Sequence, residues 1–280
     1  MSQPANHNRQ KKICAINDFT GFGRCSLAVE IPIISKMKIQ CCWVPTAILS
    51  NQTGFPSFFI DDYTQHFEEY TAEWEKLNLK FNGILTGFLG SEEQVHLVKE
   101  FIPRFSQPGT VVVVDPVMGD YGEKYPSYTD GMCQAMKQLV TTADIITPNL
   151  TEACILTDTP YHDGHWTNAE LEVLLKRLSD LGPQRIVITG ICQGKFLANL
   201  SYTAGQDIKL TRQFKIGQQR NGTGDVFAAI IAADAVNGVK FDESVRKASR
   251  FVKRCIVKSD EMEIPLTDGV AFEEVLDSLH

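Results

Sequence analysis

The stretch Thr110-Val-Val-Val-Val-Asp115-Pro-Val-Met-Gly-Asp120 decides the fold of this chain. Consecutive valines leave no wet face, whereas a half-exposed strand alternates apolar and polar residues. Such a strand is covered on both sides, as in a parallel sheet between two layers of helices. The run ends on Asp115, and a Pro/Gly turn carries the chain on to Asp120. Two carboxylates therefore stand at or just beyond one strand's carboxyl end. Solvated turn acids would look the same locally, but oxygen ligands for Mg²⁺ beside nucleotide phosphates need this chemistry too.

Working outward in both directions, short apolar runs alternate with amphipathic segments of helical length. Strands are expected at Ile13–Asn17, Ile39–Pro45, Asn82–Thr86, Asp144–Thr147 and Arg185–Thr189. Helices are expected at Leu27–Met37, Tyr63–Leu77, Glu92–Phe101, Gly131–Val140 and Leu171–Leu181. Lys195–Tyr202 and Asp207–Phe214 flank Thr203-Ala-Gly-Gln206 as a hairpin, and helices Asp225–Val236 and Asp242–Lys258 follow. Repeated strand–helix units predict an α/β fold, a mostly parallel central sheet with helices on both faces. No repeat or linker divides the chain, so residues 1–280 read as one domain with a polar, flexible tail over 1–10.

In this architecture ligands bind beyond the carboxyl ends of the strands. The expected crevice gathers Asn17-Asp18, Thr46, Thr86-Gly87-Phe88, Asp115 to Asp120, Thr147-Pro-Asn149 and Thr189-Gly190. Into it should open Asn221-Gly-Thr-Gly-Asp225, a flexible turn ahead of the apolar helix Val-Phe-Ala-Ala-Ile-Ile-Ala-Ala. A helix start offers unpaired N–H groups and partial positive charge to an anion. An acid beside such a hole repels the anion, unless Asp225 takes a proton from a nucleophilic hydroxyl while the amides of Gly222, Thr223 and Gly224 hold a transferring phosphoryl. The helix dipole should keep that carboxyl ionised and its pKa low. Thr147-Pro-Asn149-Leu-Thr-Glu152 has capping-box spacing, which serves a helix start and equally aims Glu152 at a metal–phosphate cluster.

Composition excludes several classes. A net charge of −7 argues against nucleic-acid or anionic-membrane partners. No apolar run approaches the roughly 20 residues of a spanning helix, and the N-terminus lacks a signal-peptide core, so a cytoplasmic protein is expected. The 8 cysteines are scattered without a Cys-x-x-Cys pair and read as buried free thiols. The 6 histidines show no metal spacing. Neither a Walker loop nor a complete Gly-x-Gly-x-x-Gly is present.

Five segments in this order resemble the ribokinase-like superfamily, and within it the pyridoxal (vitamin B6) kinases. They are Thr46-Ala-Ile-Leu-Ser-Asn-Gln-Thr-Gly54, Leu85-Thr-Gly-Phe-Leu-Gly90, Val114-Asp-Pro-Val-Met-Gly-Asp120, Ile146-Thr-Pro-Asn-Leu-Thr-Glu152 and Asn221-Gly-Thr-Gly-Asp225. The resemblance implies a three-layer ribokinase-like fold, and ATP-dependent phosphorylation of a ring hydroxymethyl group, the 5′-hydroxyl of pyridoxal, pyridoxine or pyridoxamine. It implies that Asp225 is the base and the Gly222–Gly224 amides the anion hole. Asp115, Asp120 and Glu152 would organise Mg²⁺, with Asn149 nearby, and Thr147 and Thr189 would stand near the nucleotide phosphates. Asp18, Thr46 and Phe88 would line the vitamin pocket, and Asp120–Tyr125 would cover ATP. A monovalent cation such as K⁺ and a homodimer belong to the same expectation. Asp18 stands where many of these kinases have Ser, Ile48 where they have a polar residue, and Phe88 where they have Tyr. Hydroxymethylpyrimidine kinase is therefore the runner-up, and a non-catalytic vitamin-binding protein the third reading.

Overall fold

The computed structural model describes residues 6–218 and 220–279. Residues 1–5, half of the expected tail, lie outside that range, as do Gln219 and His280. In the rest of the tail, Asn8 bonds the Asn78 carbonyl and the Lys80 N–H.

The chain opens with β1 (Lys12–Thr20), α1 (Leu27–Lys36), β2 (Gln40–Leu49) and the short β3 (Ile60–Asp62). A 3₁₀ turn leads into α2 (Phe67–Lys76), then β4 (Phe81–Thr86), α3 (Glu92–Phe105) and β5 (Ser106–Val114). A small hairpin, β6 (Gly119–Asp120) and β7 (Glu123–Lys124), precedes α4 (Asp130–Val140), β8 (Ile145–Ile146), α5 (Leu150–Leu156) and α6 (Asn168–Asp180). The last elements are β9 (Arg185–Gln193), β10 (Phe196–Thr203), β11 (Lys209–Phe214), α7 (Thr223–Asn237) and α8 (Phe241–Glu261).

Nine strands form one sheet in the order β11-β10-β9-β8-β5-β4-β1-β2-β3. The run from β9 to β2 is parallel, and only the edges, β3 on one side and β10–β11 on the other, are antiparallel. The valine strand thus lies in the interior of the sheet. Val112 and Val114 pack with α2 to α6 on one face, and Val113 packs with α1, α7 and α8 on the other.

Helix α7 is buried over Val226–Asp234, which explains its apolarity all round. Helix α3 runs four residues beyond its expected end despite Pro103, because Phe101 and Phe105 stack at 4.3 Å in the core. All eight thiols are free, but only Cys14, Cys133, Cys154 and Cys255 are buried; Cys25, Cys41 and Cys42 are half-buried and Cys192 is exposed. Among the described residues no helix is long and apolar enough to cross a membrane.

Candidate active site

The Gly222 turn has the geometry an anion hole needs. Gly222 caps α7 with φ +79°, and a side chain there would run into the Arg24 carbonyl. The helical ladder begins with the Val226 N–H on the Gly222 carbonyl at 2.9 Å. The amides of Thr223 and Gly224 precede that bond and, among the described residues, have no hydrogen-bond partner, as a ligand-binding turn requires. The loop opposite is strained, with Gly23, Arg24 and Ser26 all at positive φ.

Asp225 lies in the first turn of α7 and is half-buried. That enclosure pushes its carboxyl up to about 6, and the charge on Asp18 adds to the rise. Bonds from the Ser26 backbone and the Asn17 amide (3.4 Å) oppose it without cancelling it. The expectation of a dipole-lowered pKa is therefore overturned. The dipole acts at the surface of one helix end, whereas partial burial strips water from the carboxylate itself.

The ends of β1, β2 and β4 supply a polar pocket. Asp18 is buried with both oxygens occupied, by the Thr20 hydroxyl at 2.6 Å and the Ser26 hydroxyl at 2.6 Å. Burial raises its pKa against those two bonds. Thr46 donates to the Phe88 carbonyl at 2.9 Å, and the Phe88 N–H donates to Asn17 Oδ1 at 2.8 Å. Asp18, Thr46 and Phe88 thus share one network, with the half-buried Phe88 ring edge-on to Tyr128 at 6.3 Å.

The ends of β5, β8 and β9 supply the acidic half. Thr147 donates to Asp115 Oδ1 at 2.8 Å. Burial pushes the Asp115 carboxyl up to about 7, a rise opposed by that bond and reinforced by the charge on Asp225. The other oxygen, Oδ2, lies 3.8 Å from where a Cβ on Gly224 would stand, so Asp115 faces the glycine turn. Glu152 completes the capping box: its Oε2 accepts the Asn149 N–H at 2.8 Å and its Oε1 the Met118 N–H at 3.1 Å. Burial and the charge on Asp115 raise its pKa well above the ordinary range. The Thr189 N–H bonds the Pro148 carbonyl at 2.9 Å, and Thr189 bridges to Asn149, which holds both beside the Asp115 cluster.

Asp120 stands on the β6–β7 hairpin, whose turn residues Tyr121 and Gly122 both have positive φ. This type I′ geometry makes the expected cover for ATP a folded flap. It hangs from α5 by Asn149 Nδ2 on the Gly119 carbonyl (2.8 Å) and by the Gly122 N–H on the Thr151 hydroxyl (2.9 Å).

Among the described residues no three His, Cys, Asp or Glu side chains stand close enough to hold a metal ion. Asp115, Asp120 and Glu152 therefore do not form a protein-only cage, because backbone N–H groups engage both Glu152 oxygens and Asp120 rides on the flap. A Mg²⁺ site built mainly from phosphate oxygens and water needs only one or two carboxylates. Asp115, a hard oxygen donor facing the glycine turn, fits that donor set.

Asn17, expected in the crevice, connects its halves, and one further residue, Glu30, joins the site. Asn17 links Asp225, Phe88 and Asp18, and Glu30 on α1 reaches Asn17 from behind. The acid in the first turn of α1 reads as an ordinary dipole partner. The available signal was its place on the apolar face, three residues after Leu27 and three before Ile33, where a charge is out of place.

Comparison with known proteins gives concordant matches. The family model for phosphomethylpyrimidine kinase matches residues 31–267. A pyridoxine/pyridoxal/pyridoxamine kinase of Bordetella avium is 30% identical over 270 residues, 91% of this chain and 89% of the relative. A Bacteroides thetaiotaomicron protein assigned to the phosphomethylpyrimidine kinases was solved in an orthorhombic form with pyridoxal. It superposes with a TM-score of 0.92 at 37% identity, over 97% of this chain and 96% of its own. The pyridoxal kinase of Lactobacillus plantarum superposes with a TM-score of 0.88 at 25% identity, over 96% of each chain.

Proposed function

The chain belongs to the phosphomethylpyrimidine kinase family, and from that premise we propose that it transfers the γ-phosphoryl of ATP to the 5′-hydroxyl of pyridoxal, pyridoxine or pyridoxamine. It is a phosphotransferase with an alcohol acceptor, on a ribokinase-like fold. Those kinase relationships set aside the binding-only reading.

One observation carries the mechanism: Asp225, with its carboxyl near 6, stands in the first turn of α7 beside the amides of the Gly222–Gly224 turn. At neutral pH the group is mostly ionised, yet basic enough to accept a proton. Phosphoryl transfer through a loose transition state releases the acceptor's proton late, which suits a base of this strength. Asp225 orients the 5′-hydroxyl and takes its proton, while the Thr223 and Gly224 amides hold the phosphoryl oxygens. Asp115 would hold Mg²⁺, which supplies positive charge to the β/γ-phosphates, with Asp120 and Glu152 in its surroundings. Thr147, Asn149 and Thr189 flank the phosphate track, and Asp18, Thr46 and Phe88 shape the vitamin end.

The same proposal includes a homodimer. Phe19, Ile48, Phe58, Phe59 and Ile60 are exposed around the ends of β1 and β2 and the edge strand β3. Phe19 and Ile48 are register partners, so the band is continuous across β1 and β2. A second copy of the chain is the occupant, since a contiguous exposed apolar band beside a sheet edge is otherwise an aggregation hazard. Eight free thiols suit the reducing cytoplasm, where the enzyme is proposed to act.

The second reading, hydroxymethylpyrimidine phosphorylation, is favoured by the description of the matching family. Product formation with pyridoxal, pyridoxine, pyridoxamine and hydroxymethylpyrimidine, each at saturating Mg·ATP, separates the two. Pyridoxal 5′-phosphate formation with the highest kcat/KM for a B6 vitamer is the expected outcome. Efficient turnover of the pyrimidine alone would replace the vitamin assignment.

A further inference from the structure

Glu30 is a carboxyl in the wrong medium. It is 1% exposed on the inner face of α1, among Leu27, Ile33 and Ile34. Its Oε1 accepts Asn17 Nδ2 at 3.0 Å, while Oε2 is buried with no hydrogen-bond partner. The groups whose charges reach it are Asp225 of α7, Asp115 at the end of β5 and Asp18 of β1, with the thiols of Cys14 and Cys41 on β1 and β2. No cation is among them. Burial and these acids raise the Glu30 pKa well above the ordinary carboxylate range. An orphaned buried carboxyl is destabilising, and an apolar side chain would pack the same space without that penalty.

Asn17 explains its presence. The Asn17 Oδ1 accepts two backbone N–H groups, from Phe88 at 2.8 Å and Asp18 at 2.9 Å. That fixes the amide's orientation and turns both Nδ2 protons toward carboxyl groups. One goes to Glu30 at 3.0 Å and the other to Asp225 Oδ1 at 3.4 Å. Gly87 leaves no room between the amide and the end of β4.

We propose that Glu30 is a positioning residue for phosphoryl transfer: its carboxyl anchors the Asn17 amide, so that the second amide proton orients the Asp225 carboxylate toward the acceptor hydroxyl. Oε1 is the acceptor this role requires, and Oε2 needs no partner for it. An ionised Glu30 would repel Asp225, and a donor in its place would turn Asn17 away.

The role rests on the kinase reading given above, and the test keeps the two apart. Glu30→Leu removes the acceptor while filling the volume, and Glu30→Met serves if the branched side chain distorts α1. Glu30→Gln keeps a neutral acceptor. Charged groups facing Asp225 in all of them are Asp18 and Asp115, with the Cys25 thiol beside it. We expect Glu30→Leu to melt at a higher temperature than the native chain yet to turn over at least 10-fold more slowly, with KM for ATP within threefold. Its acid limb in the kcat/KM profile should move to higher pH, because Asp225 loses a donor. Glu30→Gln should restore both rate and limb to within about threefold. Carbon-13 titration of the Asp225 carboxyl, assigned through Asp225→Asn, should show the same upward movement in Glu30→Leu and none in Glu30→Gln. That readout needs no acceptor, so it decides the Glu30 role even if no B6 vitamer is phosphorylated. An unmoved Asp225 titration in Glu30→Leu overturns the proposal, as does a Glu30→Gln variant as slow as Glu30→Leu.

Discussion

Asp225 is held in a tension that function exploits and stability opposes. Its folded pKa of about 6 lies above the 3.8 of an ordinary Asp. The folded state therefore binds this proton more tightly than the unfolded chain does. Stability from this group is full below about pH 4 and is lost as pH rises through about 6. At pH 8 the ionised carboxylate destabilises the fold by about 2 kcal/mol, after allowance for its access to the crevice. Asp225→Asn should lower kcat by roughly 10²–10⁴-fold, the range for general acid–base catalysis, with little change in nucleotide affinity. The same variant should be more stable than the native chain at pH 8, with the gap narrowing toward pH 4. Urea denaturation at both pH values checks this, and equal stability at pH 8 would mean that Asp225 is solvated rather than enclosed. In the active enzyme, kcat/KM should fall as pH drops below about 6.

At the scale of elements, the flap depends on a helix too short to stand on its own propensity. Helix α5 has 7 residues, and its capping box both starts the helix and suspends the β6–β7 hairpin. Asn149→Ala removes the N-cap, which is worth about 1 kcal/mol, and also cuts the bond to the Gly119 carbonyl. Loss of that bond should free the flap, so KM for ATP should rise several-fold while kcat changes less. Steady-state kinetics and a denaturation curve read the two effects separately. An unchanged KM for ATP would show that the flap does not hold nucleotide. These elements are also where local sequence was least informative. β6 and β7 have only 2 residues each and β3 only 3, too short for any periodicity to register. β1 and β2 both outrun their expected ends, because pairing resumes at Phe19↔Ile48 past an irregularity at Asn17.

For the whole molecule, the sheet separates two apolar cores and opens its crevice at the carboxyl ends of the parallel strands. The aromatic band beside β3 lies at one edge of that sheet and should be covered in solution by a second copy. Light scattering at micromolar protein should give the mass of two 31.3 kDa chains, and a monomer mass would remove the dimer from the functional reading.

What the chain declares by itself is whatever depends on neighbours in sequence. The valine run, the strand–helix alternation, the capping box at Asn149 and Glu152, and the glycine turn before Asp225 are all local patterns. Strand polarity alone then places their ends in one crevice. The raised pKa of Asp225 depends on burial and on Asp18, which no local pattern reports. Likewise, Asn17 meets Asp225 across 208 positions of sequence, and Glu30 is orphaned only once α1 closes on the sheet. Proton affinities and amide orientations are set by enclosure and by charges from distant segments, so they come into being only with the tertiary structure.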